Sequence, residues 1–235
     1  MLRPTAIRLM RKLAWTLASL LFAVNCEAAS PWAKACQNAW DEKNVTGFVE
    51  YCKKGADDGD PKSQYYLGSM YAEGIGVVKD LHKAATLWLQ SAAAGVPEAQ
   101  HNVGRLYQQG IDVEQNYTKA LEWYEKAANQ GDTFAMHNIG FFYQKGQGVP
   151  VDYKKAEDWY GKAAAKGLAN SQYNLAVMYF NGVELPKDVV RAYAWLLLAQ
   201  DGYSQARNDL PAVARALSNE QKERGRALSQ TLLIK

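Results

Sequence analysis

The chain has 235 residues, including 14 tyrosines and 7 tryptophans, and nearly half of its residues are hydrophobic. This composition supplies enough apolar material for a folded core and excludes an intrinsically disordered chain. The formal net charge is +3, but four basic residues and one acidic residue lie in residues 1–28, so the remainder is formally neutral. Nucleic acid and anionic membrane surfaces are therefore not expected partners.

Residues 1–28 have the layout of a secretory signal peptide. A basic segment containing Arg3 and Lys12 precedes an apolar run over 13–24, which small residues at Ala28 and Ala29 follow. The apolar run is too short to span a bilayer comfortably. We expect cleavage near Ala28 and a bacterial protein that is periplasmic or secreted, with no membrane span after cleavage; retention of the segment as an anchor is the alternative.

Cysteine usage agrees with export. After cleavage near Ala28, only Cys36 and Cys52 would remain. A pair of cysteines in an oxidising compartment predicts a disulfide, and two buried thiols are the alternative. Residues 29–59 are predicted to form a degenerate N-terminal capping pair of helices, over 31–41 and 43–54, which this disulfide would join.

A period of 36 residues dominates the rest of the chain. It appears as columns of identical residues, and a fixed period of this length predicts stacked repeats. The columns are Tyr71, Tyr107, Tyr143 and Tyr179; Gly74, Gly110, Gly146 and Gly182; and Ala84, Ala120, Ala156 and Ala192. Four repeats follow from them, over 60–95, 96–131, 132–167 and 168–202.

Each repeat is predicted to contain two helices, A and B. Helix A begins in the first repeat at Asp60 and Pro61, a cap followed by a proline at the first helical position. It ends at the glycine of the column that begins with Gly74, because glycine accommodates the left-handed conformation that closes a helix. Helix B begins at equivalent capping residues in every copy. These residues are Asp80, Asn116, Asp152 and Asp188.

Residues 203–235 are predicted to form C-terminal capping helices. Residues 204–217 resemble one more A helix. Ser218, with Gln221 three residues later, predicts a capping box and a last helix that runs to about Leu233.

The repeat motifs resemble the Sel-one-like repeat (SLR) family, relatives of the tetratricopeptide repeat. The motifs are Leu67-Gly68 with Tyr71, a Gly74-Ile75-Gly76-Val77 turn, and Trp-Tyr pairs such as Trp159-Tyr160. The resemblance implies an all-α fold, a right-handed α-solenoid of antiparallel helix pairs, in which the A helices line a concave surface. It also implies a role as an adaptor in envelope assembly, polysaccharide production, signalling or host contact.

We interpret the repeated residues as the structural framework. Trp123, Trp159 and Trp195 are predicted to fill the interior of the helix pairs, with a ladder for stacking sugars or peptides as the alternative. Residues that differ between repeats are the candidates for function. They form a second stripe on the A helices, with aromatic and arginine side chains typical of binding anchors. The predicted partner-binding residues are Tyr65, His101, Arg105, Phe134, His137, Phe141, Tyr173, Val177 and Phe180. Packing between repeats is the alternative role for some of these aromatics.

No catalytic residue, cofactor or metal site is predicted. His101 and His137 occupy equivalent positions, but zinc usually takes three or four protein ligands. No nucleophile motif, phosphate loop or dinucleotide fingerprint occurs. We therefore expect a monomeric, non-enzymatic adaptor that binds a protein or peptide. The alternative is a binder or hydrolase of cell-wall fragments or β-lactams, because some cysteine-rich relatives are linked to such ligands; the four repeats here carry no cysteine.

Overall fold

The computed structural model describes residues 31–42, 44–182 and 185–232, and the predicted signal peptide lies outside them. The described residues form an all-α repeat fold, as predicted, with no strand among them. The helices are α1 Pro31–Asp41, α2 Val45–Asp57, α3 Pro61–Glu73, α4 Leu81–Ala93, α5 Pro97–Gln109, α6 Tyr117–Asn129, α7 Thr133–Lys145, α8 Tyr153–Ala165, α9 Ala169–Asn181, α10 Val189–Ala199, α11 Ser204–Arg215 and α12 Asn219–Thr231.

The chain divides into two compact units between Lys79 and Asp80. The division falls within the first repeat, after α3. Each of the described helices is too short or too polar to cross a membrane.

The N-terminal unit contains α1, α2 and α3. Cys36 of α1 and Cys52 of α2 form the predicted disulfide, with 5.1 Å between their Cα atoms. Both cysteines are fully buried. Helix α1 has the predicted bounds, whereas α2 extends three residues beyond the predicted end, to Asp57. Gly55 of α2 packs closely on Ser63 of α3, since a Cβ there would lie 2.1 Å from the serine Oγ. A disulfide and a close helix contact thus hold the capping helices together.

The glycines that close the A helices and the caps that begin the B helices lie at the predicted residues. The A helices α3, α5, α7 and α9 each end at a glycine in the left-handed conformation, with φ between 68° and 76°. Each B helix begins at the predicted residue, whose side chain accepts a hydrogen bond from the backbone N–H three residues later. Local side-chain chemistry therefore sets both ends of the repeat.

The repeated tyrosine at the eleventh position of helix A contacts the beginning of helix B. In the third repeat, the Asp152 N–H donates to the Tyr143 carbonyl oxygen over 2.9 Å. The Asp152 side chain caps α8 at the Lys155 N–H. The Lys155 ammonium lies 5.0 Å from the centre of the Tyr143 ring. The same three contacts recur with Asn116, Tyr107 and Lys119, and with Asp188, Tyr179 and Arg191.

Glycines at the eighth position of α5 and α7 make room for a tyrosine of the following B helix. A Cβ on Gly104 would lie 2.7 Å from the Tyr124 ring, and one on Gly140 would lie 2.8 Å from the Tyr160 ring. Both tyrosines are 0% exposed. They fill the interior of their helix pairs.

The tryptophan column departs from the prediction that it fills the interior. Trp195 is buried, but Trp123 and Trp159 are only half-buried. Their rings lie under the ammonium groups of Lys126 and Lys162, at 3.9 and 3.7 Å from the ring centres. Adjacent residues on a helix point about 100° apart. Because the tyrosine that follows each tryptophan faces helix A, the tryptophan side chain points about 100° away from helix A.

The C-terminal helices complete the second unit. Ser218 and Gln221 form the predicted capping box at the start of α12. Gly225 of α12 approaches α10 so closely that a Cβ would lie 2.6 Å from the Tyr193 ring. Leu210 of α11 and Leu232 pack against the core cluster that α9 and α10 form. These contacts cover the outer side of the fourth repeat.

Candidate partner-binding surface

The predicted partner-binding residues of the second unit lie on α5, α7 and α9. Counted from the first residue of each A helix, they occupy positions 2, 5, 9 and 12, and we call this set the variable stripe. The eight predicted members are His101, Arg105, Phe134, His137, Phe141, Tyr173, Val177 and Phe180. Tyr65, at position 5 of α3, belongs to the N-terminal unit, where it is half-buried with its ring centre 5.3 Å from that of Tyr66.

Position 5 of the variable stripe joins consecutive A helices through hydrogen bonds. The His101 Nε2 atom lies 3.2 Å from the Asn138 amide nitrogen. The His137 Nδ1 atom is bonded to the Ser171 hydroxyl over 2.8 Å. In the last copy, the Tyr173 hydroxyl donates to a carboxylate oxygen of Asp209 over 2.9 Å. These side chains belong to the packing between repeats, the alternative role considered for the stripe.

Burial keeps both histidines neutral. Desolvation lowers the pKa of His101, with the nearby Arg105 adding to the effect and Asp132 opposing it. Desolvation alone lowers the pKa of His137 to about 4. Neutral imidazoles could ligate a metal, but the described residues contain no group of three or more histidine, cysteine, aspartate or glutamate side chains with ligating geometry. The structure thus gives the histidine column a packing role.

Phe141 is more buried than the prediction of a partner-binding residue implies. It is half-buried and packs against both core clusters of the second unit. Val177 is also half-buried. Their side chains contribute to the surface while also supporting the core.

Arg105, Phe134 and Phe180 are the exposed members of the variable stripe. Phe134 is 58% exposed, and its ring stacks on His101 with 6.1 Å between ring centres and 12° between planes. The partly buried hydrogen bond between His101 and Asn138 orients the imidazole, which supports the phenyl ring. Aromatic and arginine side chains are enriched at protein interfaces. The surface therefore presents a pre-positioned aromatic ring and a cation.

At position 12, the fourth repeat replaces a polar pair by an apolar one. The Tyr124 hydroxyl donates to Gln108 over 2.6 Å, and the Tyr160 hydroxyl donates to Gln144 over 2.9 Å. The equivalent residues of the fourth repeat are Phe180 and Leu196. Since leucine has no hydroxyl to satisfy, position 12 no longer needs an amide there.

A pocket of about 320 Å³ lies where this exchange occurs, between α9 and α11. Tyr173, Val177 and Phe180 of the variable stripe line it. The other lining residues are Ala176 and Asn181 of α9, Leu196 of α10, and Asp209, Ala212 and Val213 of α11. We call it the α9–α11 pocket. Burial, followed by the hydrogen bond to Asp209, raises the pKa of Tyr173 to about 12, so this tyrosine remains a neutral hydrogen-bond donor.

The sequence prediction ended the stripe at α9 and missed the residues of α11. Ala212 is at position 9 of α11, where the preceding A helices have Arg105, Phe141 and Val177. Its small side chain leaves space that these larger residues would fill. The sequence contains the information that locates it. Residues 204–217 resemble another A helix, and extending the variable stripe onto this helix identifies Ala212.

A second polar cluster, also missed, joins α8, α9 and α10. The Tyr179 hydroxyl donates to Glu157 and accepts a hydrogen bond from Arg191 over 2.8 Å. Lys154 is paired with Glu157 over 2.6 Å. Burial opposes ionisation of Glu157, but the hydrogen bonds from Lys154 and Tyr179 lower its pKa below the usual range. The cluster cross-links three helices.

Comparison with known proteins places this architecture in a family. The Sel1 repeat pattern matches residues 61–96, 97–132, 133–168 and 169–200. Sel1 repeats generally form protein-interaction scaffolds. No curated protein sequence is similar enough to the chain to match it.

Several solved structures resemble the chain, among them the following three. A protective antigen of uropathogenic Escherichia coli with an SLR fold is 32% identical, with a TM-score of 0.74, over 81% of this chain and 41% of the antigen. The chain thus spans about two fifths of that antigen's length. A Sel1 repeat protein of Oxalobacter formigenes is 28% identical, with a TM-score of 0.73, over 90% of this chain and 92% of its own.

An immunity protein of Pseudomonas aeruginosa shares the fold at 20% identity and a TM-score of 0.52, over 88% of this chain and 82% of its own. The four matched repeats together cover more than half of the 235 residues. The chain therefore belongs to the Sel1 repeat family.

Proposed function

We propose that this protein is an exported, non-enzymatic adaptor that binds a protein or peptide partner through the variable stripe of its second unit. The observation that carries the proposal is the exposed Phe134 ring stacked on the half-buried His101, together with the exposed cation of Arg105. A fixed aromatic ring loses little conformational freedom on binding, so it is an economical anchor. Membership of a family that generally forms interaction scaffolds supports the same conclusion.

Export is supported by two independent features. Residues 1–28 have the composition of a secretory signal peptide. The bond between Cys36 and Cys52 is of the kind that persists in oxidising compartments. A bacterial envelope is the setting in which we expect the partner, with envelope assembly, signalling and host contact as candidate roles.

The binding surface is tested by site-specific photo-crosslinking in the native envelope. A photo-reactive phenylalanine analogue replaces Phe134, and a matched variant carries it at Glu122, an exposed residue of helix B in α6. We expect a discrete crosslinked partner only from position 134. The same product from both positions would contradict the proposal.

The double variant Arg105→Glu with Phe134→Glu provides the second arm. Both residues are exposed, so the fold should be unaffected, whereas Phe141 is unsuitable because it packs into the core. We expect loss of binding to the identified partner with unchanged circular dichroism and melting temperature. Hydrolysis of muropeptides or β-lactams by the purified protein would contradict the non-enzymatic part of the proposal.

A further inference from the structure

The α9–α11 pocket combines apolar walls with a carboxylate that the repeat architecture does not require. Asp209 is at position 6 of α11, and the equivalent residues of α5, α7 and α9 are Asn102, Asn138 and Asn174. The neutral side-chain amide of Asn138 forms the hydrogen bond to His101. An asparagine oxygen at position 209 could likewise accept the Tyr173 hydroxyl. The negative charge is therefore specific to this copy.

The charge of Asp209 has no counter-ion in the part of the chain that the structure describes. Its two carboxylate oxygens accept hydrogen bonds from neutral donors, the Tyr173 hydroxyl and the Gln205 side-chain amide, each over 2.9 Å. The ammonium of Lys187 lies 5.4 Å from the centre of the Phe180 ring, and it is exposed. A half-buried carboxylate without an ion pair favours the approach of a cation.

The walls of the pocket suit an alkyl stem. Val177, Leu196, Ala212 and Val213 supply aliphatic surface, and Phe180 supplies an aromatic face. Arginine and lysine bury apolar stems while keeping the charged group in a polar environment. A guanidinium or ammonium can also interact with the Phe180 ring, as the position of Lys187 illustrates. The volume of about 320 Å³ is at the lower end of the range for ligand sites and is large enough for a single side chain.

From these features we infer that the α9–α11 pocket is an anchor site for a basic side chain, arginine or lysine, of the protein or peptide partner. The inference rests on the proposed function and specifies the chemistry that the partner must carry. The cation pairs with Asp209, and the stem lies between Val177 and Ala212. Because the pocket is at the α11 end of the variable stripe, a partner engages it in addition to Phe134 and Arg105.

The test uses the full mature chain and two isosteric probes, N-acetyl-arginine amide and N-acetyl-citrulline amide, in a heteronuclear NMR titration. Citrulline has the shape of arginine but no charge. We expect the arginine probe to perturb the resonances of pocket residues such as Val177 and Leu196, and the citrulline probe to bind at least tenfold more weakly. Equal binding of the two probes would overturn the inference.

Two variants separate charge from shape, and each introduces a residue that another A helix already carries at the same position. Asp209→Asn should weaken arginine binding at least tenfold and leave citrulline binding unchanged. Ala212→Phe should fill the pocket and abolish binding of both probes. Retained preference for arginine in Asp209→Asn, or undiminished binding in Ala212→Phe, would refute the assignment. If one variant is poorly folded by circular dichroism, the other still decides the result.

Glu122→Gln is the matched control, because it removes an exposed negative charge on α6, outside the variable stripe. It should leave probe binding unchanged, and an equal loss would indicate a non-specific electrostatic effect instead of the pocket. The outcomes also separate this inference from the proposed function. Failure of the probes to bind refutes the pocket alone, whereas partner binding that survives Arg105→Glu with Phe134→Glu refutes the broader surface.

Discussion

Replacing Gly140 with alanine should destabilise the second unit, although alanine favours helix. In a helix interior, alanine is more favourable than glycine by about 1 kcal/mol. The new Cβ, however, would lie 2.8 Å from a carbon of the Tyr160 ring. This is about 1 Å closer than an optimal carbon–carbon contact. Tyr160 is 0% exposed, so its ring has no solvent side toward which to move.

The magnitudes favour the steric effect. Overpacking a well-packed core typically costs about 1–3 kcal/mol. After the gain in helix propensity, we expect Gly140→Ala to lower the free energy of unfolding by up to about 2 kcal/mol. The fourth repeat suggests the compensating change, because it has Ala176 and Leu196 at the equivalent positions.

A double-mutant cycle with Tyr160→Leu tests the reasoning in urea denaturation. Tyr160→Leu alone should destabilise through a cavity and the lost hydrogen bond to Gln144. The double variant should be more stable than the sum of the two single changes predicts by about 1 kcal/mol or more, because each change removes the other's defect. Additivity within about 0.5 kcal/mol would refute the proposed Gly–Tyr complementarity. Ala176→Gly is the control and should lose about 1 kcal/mol from helix propensity alone.

Two further predictions concern other parts of the molecule. The double variant Cys36→Ala with Cys52→Ala should lose about 3 kcal/mol of stability, because the disulfide closes a loop with a sequence separation of 16. Denaturation of the wild type with and without reductant measures this contribution. Equal stability under the two conditions would contradict the prediction. Burial lowers the pKa of His137 to about 4, below about 6.5 in the unfolded chain, so the unfolded state binds more protons and stability should fall as the pH decreases from about 6.5 to about 4. His137→Gln should lack this loss of stability between about pH 6.5 and pH 4. A pH profile of stability parallel to that of the wild type would show that this histidine is not the cause.

The sequence predicted those features of the fold that depend on neighbours close in the chain. The cap at Asp152 bonds a backbone N–H three residues away, and the glycine at Gly146 closes its own helix. Both interactions are chosen by residue chemistry within one turn, so they can be recognised without knowledge of the packing. The repeat period then carried each assignment from one copy to the next.

The orientation of the aromatic pair could not be predicted in the same way. Trp159 and Tyr160 are adjacent, and either could face helix A on composition alone. The structure selects the tyrosine, because Gly140 leaves room for its ring and Gln144 accepts its hydroxyl. A residue on one helix thus decides which residue of another is buried. Such a choice depends on tertiary contacts between positions about twenty residues apart.

The candidate site was predicted only in part for a related reason. Residue variation identified Phe134 and Phe180, both of which are exposed. The same variation also selected His137, whose hydrogen bond to Ser171 depends on the spacing between two A helices. The α9–α11 pocket arises from a residue that is small instead of large. Searches for aromatic and charged side chains overlook Ala212, because an alanine carries no chemical signature of its own.

Departures from a repeat become informative when they occur together at one place. The exchange of Gln–Tyr for Phe180 and Leu196 removes a polar pair, and Ala212 removes a bulky side chain from the facing helix. Either change alone could be accommodated by packing. In combination with the charge of Asp209, they produce an apolar pocket with a single carboxylate, at a position where the other copies have packed side chains and a neutral asparagine. A framework residue would be expected to recur in every copy because each copy faces the same packing problem. These three departures, in the fourth repeat and in α11, meet at one pocket and support the inferred anchor site.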